Sequence, residues 1–135
     1  GRYSFDIDIF KNNKDYILKY NPSENITEIT YLKRKDLIIR FITIHRSKGL
    51  QADYVVIINN KNYGMGFPSK INDLPLVHLL LGGGMDDYKY SEERRLFYVA
   101  LTRTKNEVFL LVNKKNMSIF VKELIKDYQK YIEYV

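Results

Sequence analysis

Hydroxyl, imidazole, ammonium and amide groups crowd into one short run, Thr43-Ile44-His45-Arg46-Ser47-Lys48-Gly49-Leu50-Gln51-Ala52-Asp53. A second run, Glu92-Glu93-Arg94-Arg95-Leu96-Phe97-Tyr98-Val99-Ala100-Leu101-Thr102-Arg103-Thr104-Lys105, sets guanidinium and hydroxyl groups against an apolar stripe. In the first run Thr43 and His45 offer donors to phosphate or sugar oxygens, and Lys48 adds charge. Gly49 allows a close backbone approach or a turn at positive φ, and the Gln51 amide can hydrogen-bond a ribose hydroxyl. In the second run Arg103 carries a planar, permanently charged fork that matches the oxygens of a phosphoryl group. An arginine brought up from a neighbouring domain can stabilise charge developing on a transferring γ-phosphate. Taken singly, each residue also has a structural role open to it: His45 as a core-edge histidine, Lys48 as a solvated cation, Arg103 as the partner of Glu92, Glu93 or Glu107.

The elements that would hold these groups follow from local pattern. Leu37 to Ile44 reads as a strand whose C-terminal end carries Thr43 and His45 on one side. In open α/β sheets ligands bind beyond that edge. Lys48-Gly49-Leu50 fits a tight turn, and the branched run Tyr54 to Ile58 suits a central strand buried on both faces. Ser91 can cap a helix with Glu92 and Glu93 in its first turn and an apolar stripe through Leu96, Phe97, Ala100 and Leu101. Arg95, Val99 and Arg103 follow one another along that helix at four-residue steps, with Lys105 and Asn106 at its C-terminal end. Glu107 to Val112 is a further strand, and Ser118 opens a last helix with Phe120, Leu124, Tyr128 and Tyr131 on one side. Upstream, residues 3–10, Asp15 to Tyr20 and Ile26 to Leu32 read as strands, with a polar break at Lys33-Arg34-Lys35-Asp36. Residues 59–90 are the least regular part. A short helix is expected within Leu74 to Leu81, and Gly82-Gly83-Gly84 reads as a linker. The order of strands and helices is an α/β pattern.

Composition narrows the field. The chain has 135 residues, one domain's worth, with 45% hydrophobic residues and a formal net charge of +6, a balance that weakly favours polyanions. There is no cysteine, hence no disulfide and no thiolate site, and His45 and His78 are too far apart in sequence to suggest a metal site. Asp86-Asp87 reads as a solvated pair, so no metal site is expected. The apolar runs are too short to span a bilayer, so no membrane partner is expected and a cytoplasmic location is. The chain starts without methionine and is expected to be a piece of something longer. No Gly-x-x-x-x-Gly-Lys-Ser/Thr loop occurs in it, so it can hold at most half of a nucleotide site.

The two runs, in this order, resemble motifs V and VI of the UvrD/Rep-type helicases of superfamily 1, over about residues 37–121. Gly66-Phe67-Pro68-Ser69 and the strand after the second run are similar to the helicase IV branch. The resemblance implies an α/β, RecA-like (P-loop NTPase-type) domain with a mostly parallel sheet flanked by helices and no Walker loop of its own. It implies a single domain over 1–135, a fragment of the second RecA-like domain, with a β-rich part at 1–36 and the motif V/VI core at 37–135. ATP and Mg²⁺ would be bound jointly with the first RecA-like domain of the same parent chain, and single-stranded or duplex DNA would be the track. Arg103 then matches the catalytic arginine that contacts the γ-phosphate. Gly49 and Gln51 lie on the nucleotide side, and Gln51 stands where many members have a glutamate that contacts the ribose. Thr43, His45 and Lys48 fall near the nucleic-acid track, while Arg95, Tyr98 and Thr102 support motif VI. Gly1-Arg2-Tyr3 is similar to the end of motif IV, which would put Arg2 on the γ-phosphate too. Two other functions stay open: a non-catalytic nucleic-acid or protein-interaction module with a decayed site, and the helicase part of a helicase–nuclease.

Overall fold

The computed structural model describes residues 10–24, 26–58, 60–62, 66–69 and 90–135. Arg2, His78, the helix expected within 74–81, Gly82-Gly83-Gly84, Asp86-Asp87 and nearly all of the strand expected over 3–10 lie outside the described residues. The chain divides into two compact units, Gly1–Arg46 and Ser47–Val135. Asp36, the expected end of the β-rich part, lies within a strand of the first unit.

The first unit is an antiparallel meander of β1 (Tyr16–Asn21), β2 (Ile26–Tyr31) and β3 (Arg34–Phe41), in that order. Leu18, Ile29 and Ile39 stand opposite one another across the three strands, and Ile29 is completely buried. Glu28 and Arg40 are also register partners and form an ion pair at 3.0 Å. The expected polar break at residues 33–36 is mostly strand. The reversal is confined to Leu32 and Lys33, where Leu32 N donates to Asp15 O (2.8 Å) and Lys33 Nζ reaches the Asp15 carboxylate (3.0 Å). Arg34 therefore enters β3, where its guanidinium grips Asp36 two residues on, at 2.7 Å.

The second unit holds β4 (Ala52–Ile57), α1 (Ser91–Leu101), β5 (Thr104–Leu110) and α2 (Ile119–Tyr128). β4 and β5 pair in parallel, with Val55 opposite Val108 and Ile57 opposite Leu110. Parallel pairing is confined to these two strands among the described residues, so the fold is mixed α/β with more antiparallel than parallel strand, not the mostly parallel sheet expected. Nor is β4 buried on both faces: Tyr54 and Val56 are 59% and 56% exposed, and only Ile57 is buried. The β-branched run promotes the strand, but among the described residues the sheet has two strands, which do not cover both sides.

Asn60 closes the far end of the parallel pair. Its buried side chain donates to Ile57 O (2.6 Å) and Leu111 O (3.1 Å), and its own carbonyl accepts Ser118 N (3.1 Å) just before α2. The core is aromatic: Phe67, Phe97 and Phe120 meet with ring centroids 5.3 to 5.8 Å apart. Gly66 makes this possible, since a Cβ there would lie 2.0 Å from Lys61 O. The turn is then tied to both helices, Ser69 N to the Glu93 carboxylate (3.3 Å) and the Phe67 carbonyl to the Ser118 hydroxyl. Ser118 caps α2 as expected, accepting from Phe120 N at 3.2 Å. Ser91 does not cap α1. Tyr90 does, in the left-handed conformation (φ 63°), and its carbonyl accepts Arg94 N at 2.8 Å.

Arg94 also ties α1 to α2, with a two-toothed contact to Glu123 (2.6 and 2.9 Å) and its guanidinium carbon 4.9 Å from the Phe120 ring centre. The guanidinium's hydrogen bonds hold the Glu123 carboxyl below its ordinary 4.5, against a smaller opposing effect of burial. A lowered folded value means that the pair stabilises fully above the unfolded value of 4.5 and stops doing so as pH falls through the folded one. Glu123→Gln should therefore flatten the acid limb of a plot of urea midpoint against pH. An acid limb as steep as that of the parent chain would contradict this.

Candidate nucleotide and nucleic-acid site

Where α1 ends, the chain turns straight into β5. Lys105 and Asn106, expected at the helix end, are strand residues. Arg103 lies in the two-residue corner between them, so it is not one more step along the helix face. Thr102 N donates to Tyr98 O (3.0 Å) and Arg103 N to Ala100 O (3.3 Å), the tightened last turn usual at helix ends. Arg103 O then accepts Ala52 N at 3.0 Å, which sets Gln51 and the start of β4 beside the start of β5. Thr104 fastens the same corner: its hydroxyl lies 3.1 Å from Asp53 O and 2.7 Å from Glu107 O. Lys105 stands 3.8 Å from the Asp53 carboxylate. Gln51 and Arg103 thus share one rim of the parallel pair, the rim at which both strands begin.

The loop before β4 is built for that rim. Leu50 N donates to Ser47 O (3.0 Å), Ser47 is buried, and Gly49 takes φ +82°. A Cβ on Gly49 would meet nothing within 4 Å, so the left-handed backbone, not crowding, calls for glycine. Lys48, Gly49 and Gln51 are all exposed.

Thr43 and His45 belong to the first unit. The strand expected to carry them stops at Phe41, and they do not share a strand face. His45 falls in a 3-10 turn, Ile44–Ser47, and Thr43 precedes it. The cause is local: Thr43 accepts Arg46 N through both its carbonyl (3.0 Å) and its hydroxyl (3.2 Å), which bends the chain out of the sheet. His45 is exposed and Thr43 half-buried.

Arg103 is half-buried and touches no carboxylate among the described residues. Its Nε donates to Val99 O (3.0 Å) and Nη2 to Thr102 Oγ1 (3.2 Å). None of the acids considered for it is its partner among the described residues: Glu92 faces Arg95 at 3.6 Å, and the Glu93 carboxylate accepts Ser69 N. Arg95 is thus an exposed member of an i,i+3 pair, and Tyr98 is 68% exposed on a groove of about 230 Å³ between α1 and α2. Two residues that build this unit, Asn60, outside both runs, and Thr104, inside the second, are given no role by the sequence. The one hint for Thr104 is a hydroxyl directly after Arg103 at a helix-to-strand corner.

The profile of the UvrD-like helicase C-terminal domain matches residues 7–115, across both units and through the Gln51–Arg103 rim. The chain belongs to this family. DNA helicase IV of Escherichia coli (strain K12) is 46% identical over 91 residues, 67% of this chain and 13% of that protein. A probable DNA helicase II homolog of Mycoplasma capricolum is 32% identical over 125 residues, 84% of this chain and 15% of that protein. An ATP-dependent helicase/nuclease subunit of Staphylococcus carnosus is 34% identical over 103 residues, 56% of this chain and 8% of that protein. This UvrD-like C-terminal domain thus spans a small part, 13% and 15%, of the helicase IV and helicase II relatives. No solved structure gives a significant match. Among its described residues no helix is long and apolar enough to cross a membrane.

Proposed function

We propose that this chain is the second RecA-like domain of an ATP-dependent DNA helicase, supplying motifs V and VI to a nucleotide site completed by a Walker-bearing first domain. One observation carries the proposal: a half-buried guanidinium with no carboxylate partner among the described residues, held on the same rim as the exposed Gln51 loop. The other half-buried arginine among the described residues, Arg94, is committed to Glu123. A permanent charge left without an anion at a rim fits a phosphoryl group arriving from outside.

ATP with Mg²⁺, when bound, supplies the phosphoryl group to be transferred. Toward it Arg103 offers charge, Gln51 an amide for the sugar, and Gly49 a backbone bent to let the loop approach. Arg2 is a second candidate cation for the phosphates. Thr43, His45 and Lys48 offer donors to the backbone of a single-stranded DNA track, along which the parent moves 3′ to 5′. Arg95, Tyr98 and Thr102 support the arginine helix. On this reading residues 1–135 form one functional piece, with 37–135 as its motif-bearing core.

The isolated chain is expected to hydrolyse no ATP, with or without DNA, because its sequence has no Walker loop. DNA-stimulated phosphate release by residues 1–135 would refute this division of labour. Gln51, standing where many family members have glutamate, favours a second reading, a nucleic-acid-binding module whose nucleotide site has decayed. An intact Walker loop upstream in the parent decides for the motor. Likeness to helicase/nuclease subunits leaves room for a nuclease further along the parent chain.

A further inference from the structure

The corner that carries Arg103 is a closed set of contacts. An undisturbed α-helix would pair Val99 O with Arg103 N, but that N–H has moved to Ala100 O at 3.3 Å. Val99 O is left to side chains: Arg103 Nε donates to it at 3.0 Å, and Thr102 Oγ1 lies 3.2 Å away. Thr102 Oγ1 also lies 3.0 Å from Tyr98 O and accepts Arg103 Nη2 at 3.2 Å. The backbone beneath is fixed by Ala52 N on Arg103 O. A guanidinium has five N–H groups in a rigid plane. Here Nε and one hydrogen of Nη2, together one edge of that plane, are held by the protein. The terminal edge, formed by Nη1 and the remaining Nη2 hydrogen, has no partner among the described residues.

We propose that Thr102 is a positioning residue for Arg103: its hydroxyl and the Val99 carbonyl grip one edge of the guanidinium and present the terminal edge to phosphoryl oxygens. This rests on the reading of Arg103 as the nucleotide-facing arginine. A free arginine side chain has many rotamers, and fixing them before the anion arrives removes that cost from binding and from the charged transition state. A lysine could not be held this way, having no second edge.

The hold can be read without nucleotide, by ¹H–¹⁵N NMR of the 135-residue chain. The Arg103 Nε–H is expected to exchange with water about tenfold more slowly than that of the exposed Arg46, the scale of one retained hydrogen bond. Arg103→Lys assigns the signal. Thr102→Val, alike in shape but without the hydroxyl, removes the Nη2 half of the grip and should narrow the gap between the two rates although the Val99 carbonyl remains, and Thr102→Ser should keep the gap. Equal rates in the unaltered chain would overturn the proposal, and that result does not depend on the Val variant folding. In a helicase carrying this domain, Thr102→Val should lower kcat with KM for ATP little changed, and Thr102→Ser should restore it. A raised kcat would overturn the proposal too, since the contact would then restrain Arg103. A failed NMR result leaves the phosphate-facing role of Arg103 standing, whereas a failed Arg103→Ala result leaves the hold standing.

Discussion

Replacing Arg103 with alanine in a helicase carrying this domain should lower kcat for ATP by about 10³-fold or more, the scale of an arginine finger. The size follows from where the charge acts. In a closed, water-poor interface a fixed guanidinium beside the transferring group is worth far more than the same charge in solvent. The loss should fall on kcat more than on KM, because the contact matters most as charge develops. Arg103→Lys should recover little of it, since an ammonium has neither the forked geometry nor an edge for Val99 O and Thr102 Oγ1 to hold. DNA binding without nucleotide should change little. A tenfold loss or less would make Arg103 a residue of the helix end only, whose contacts to Val99 and Thr102 serve the fold.

Phe120→Ala should destabilise the second unit by about 3–5 kcal/mol, the usual range for emptying a buried aromatic site. Phe120 is 2% exposed and lies against Phe67, Phe97 and Tyr90, with the Arg94 guanidinium over its ring. Those neighbours come from the Gly66 turn and from α1 with its cap, and Phe120 itself stands on α2, so one truncation loosens all three. Gly66 is fixed by its carbonyl neighbour, and α1 and α2 are joined by the Arg94–Glu123 pair, so the cavity has few ways to collapse. A small domain has about 5–15 kcal/mol of stability in all, so the variant should unfold at a much lower urea concentration. A midpoint close to that of the unaltered chain would show that the aromatic cluster is not the core of this unit.

Local structure is legible in the sequence where it depends on residue type, and less so where it depends on the path of the backbone. The turn at Gly49 and the cap at Ser118 follow from side chains acting on their own neighbours, and both are seen. Thr43 and His45 have the alternation of a strand, yet Thr43 captures Arg46 N twice and ends the strand early. A hydroxyl competing for a nearby amide is a stronger local instruction than a short apolar pattern. The branched run through Val55 and Val56 predicts the strand correctly and its burial wrongly, because burial is set by what packs on both sides and no stretch of sequence states that. Counting in fours puts Arg103 on a helix face, but the helix stops at Leu101. The contact that ends it, Ala52 N on Arg103 O, joins residues far apart in the chain, which no local periodicity can register. That same long-range contact is what sets Gln51 beside Arg103.

The sharpest test is a structure of a helicase carrying this domain, bound to ADP and a planar phosphate mimic such as aluminium fluoride. The terminal edge of the Arg103 guanidinium should lie on the mimic's oxygens, with Val99 O and Thr102 Oγ1 still on the other edge and the Gln51 amide on the ribose. A guanidinium left pointing away from the nucleotide, with another chain's cation in its place, would contradict the proposed role of Arg103.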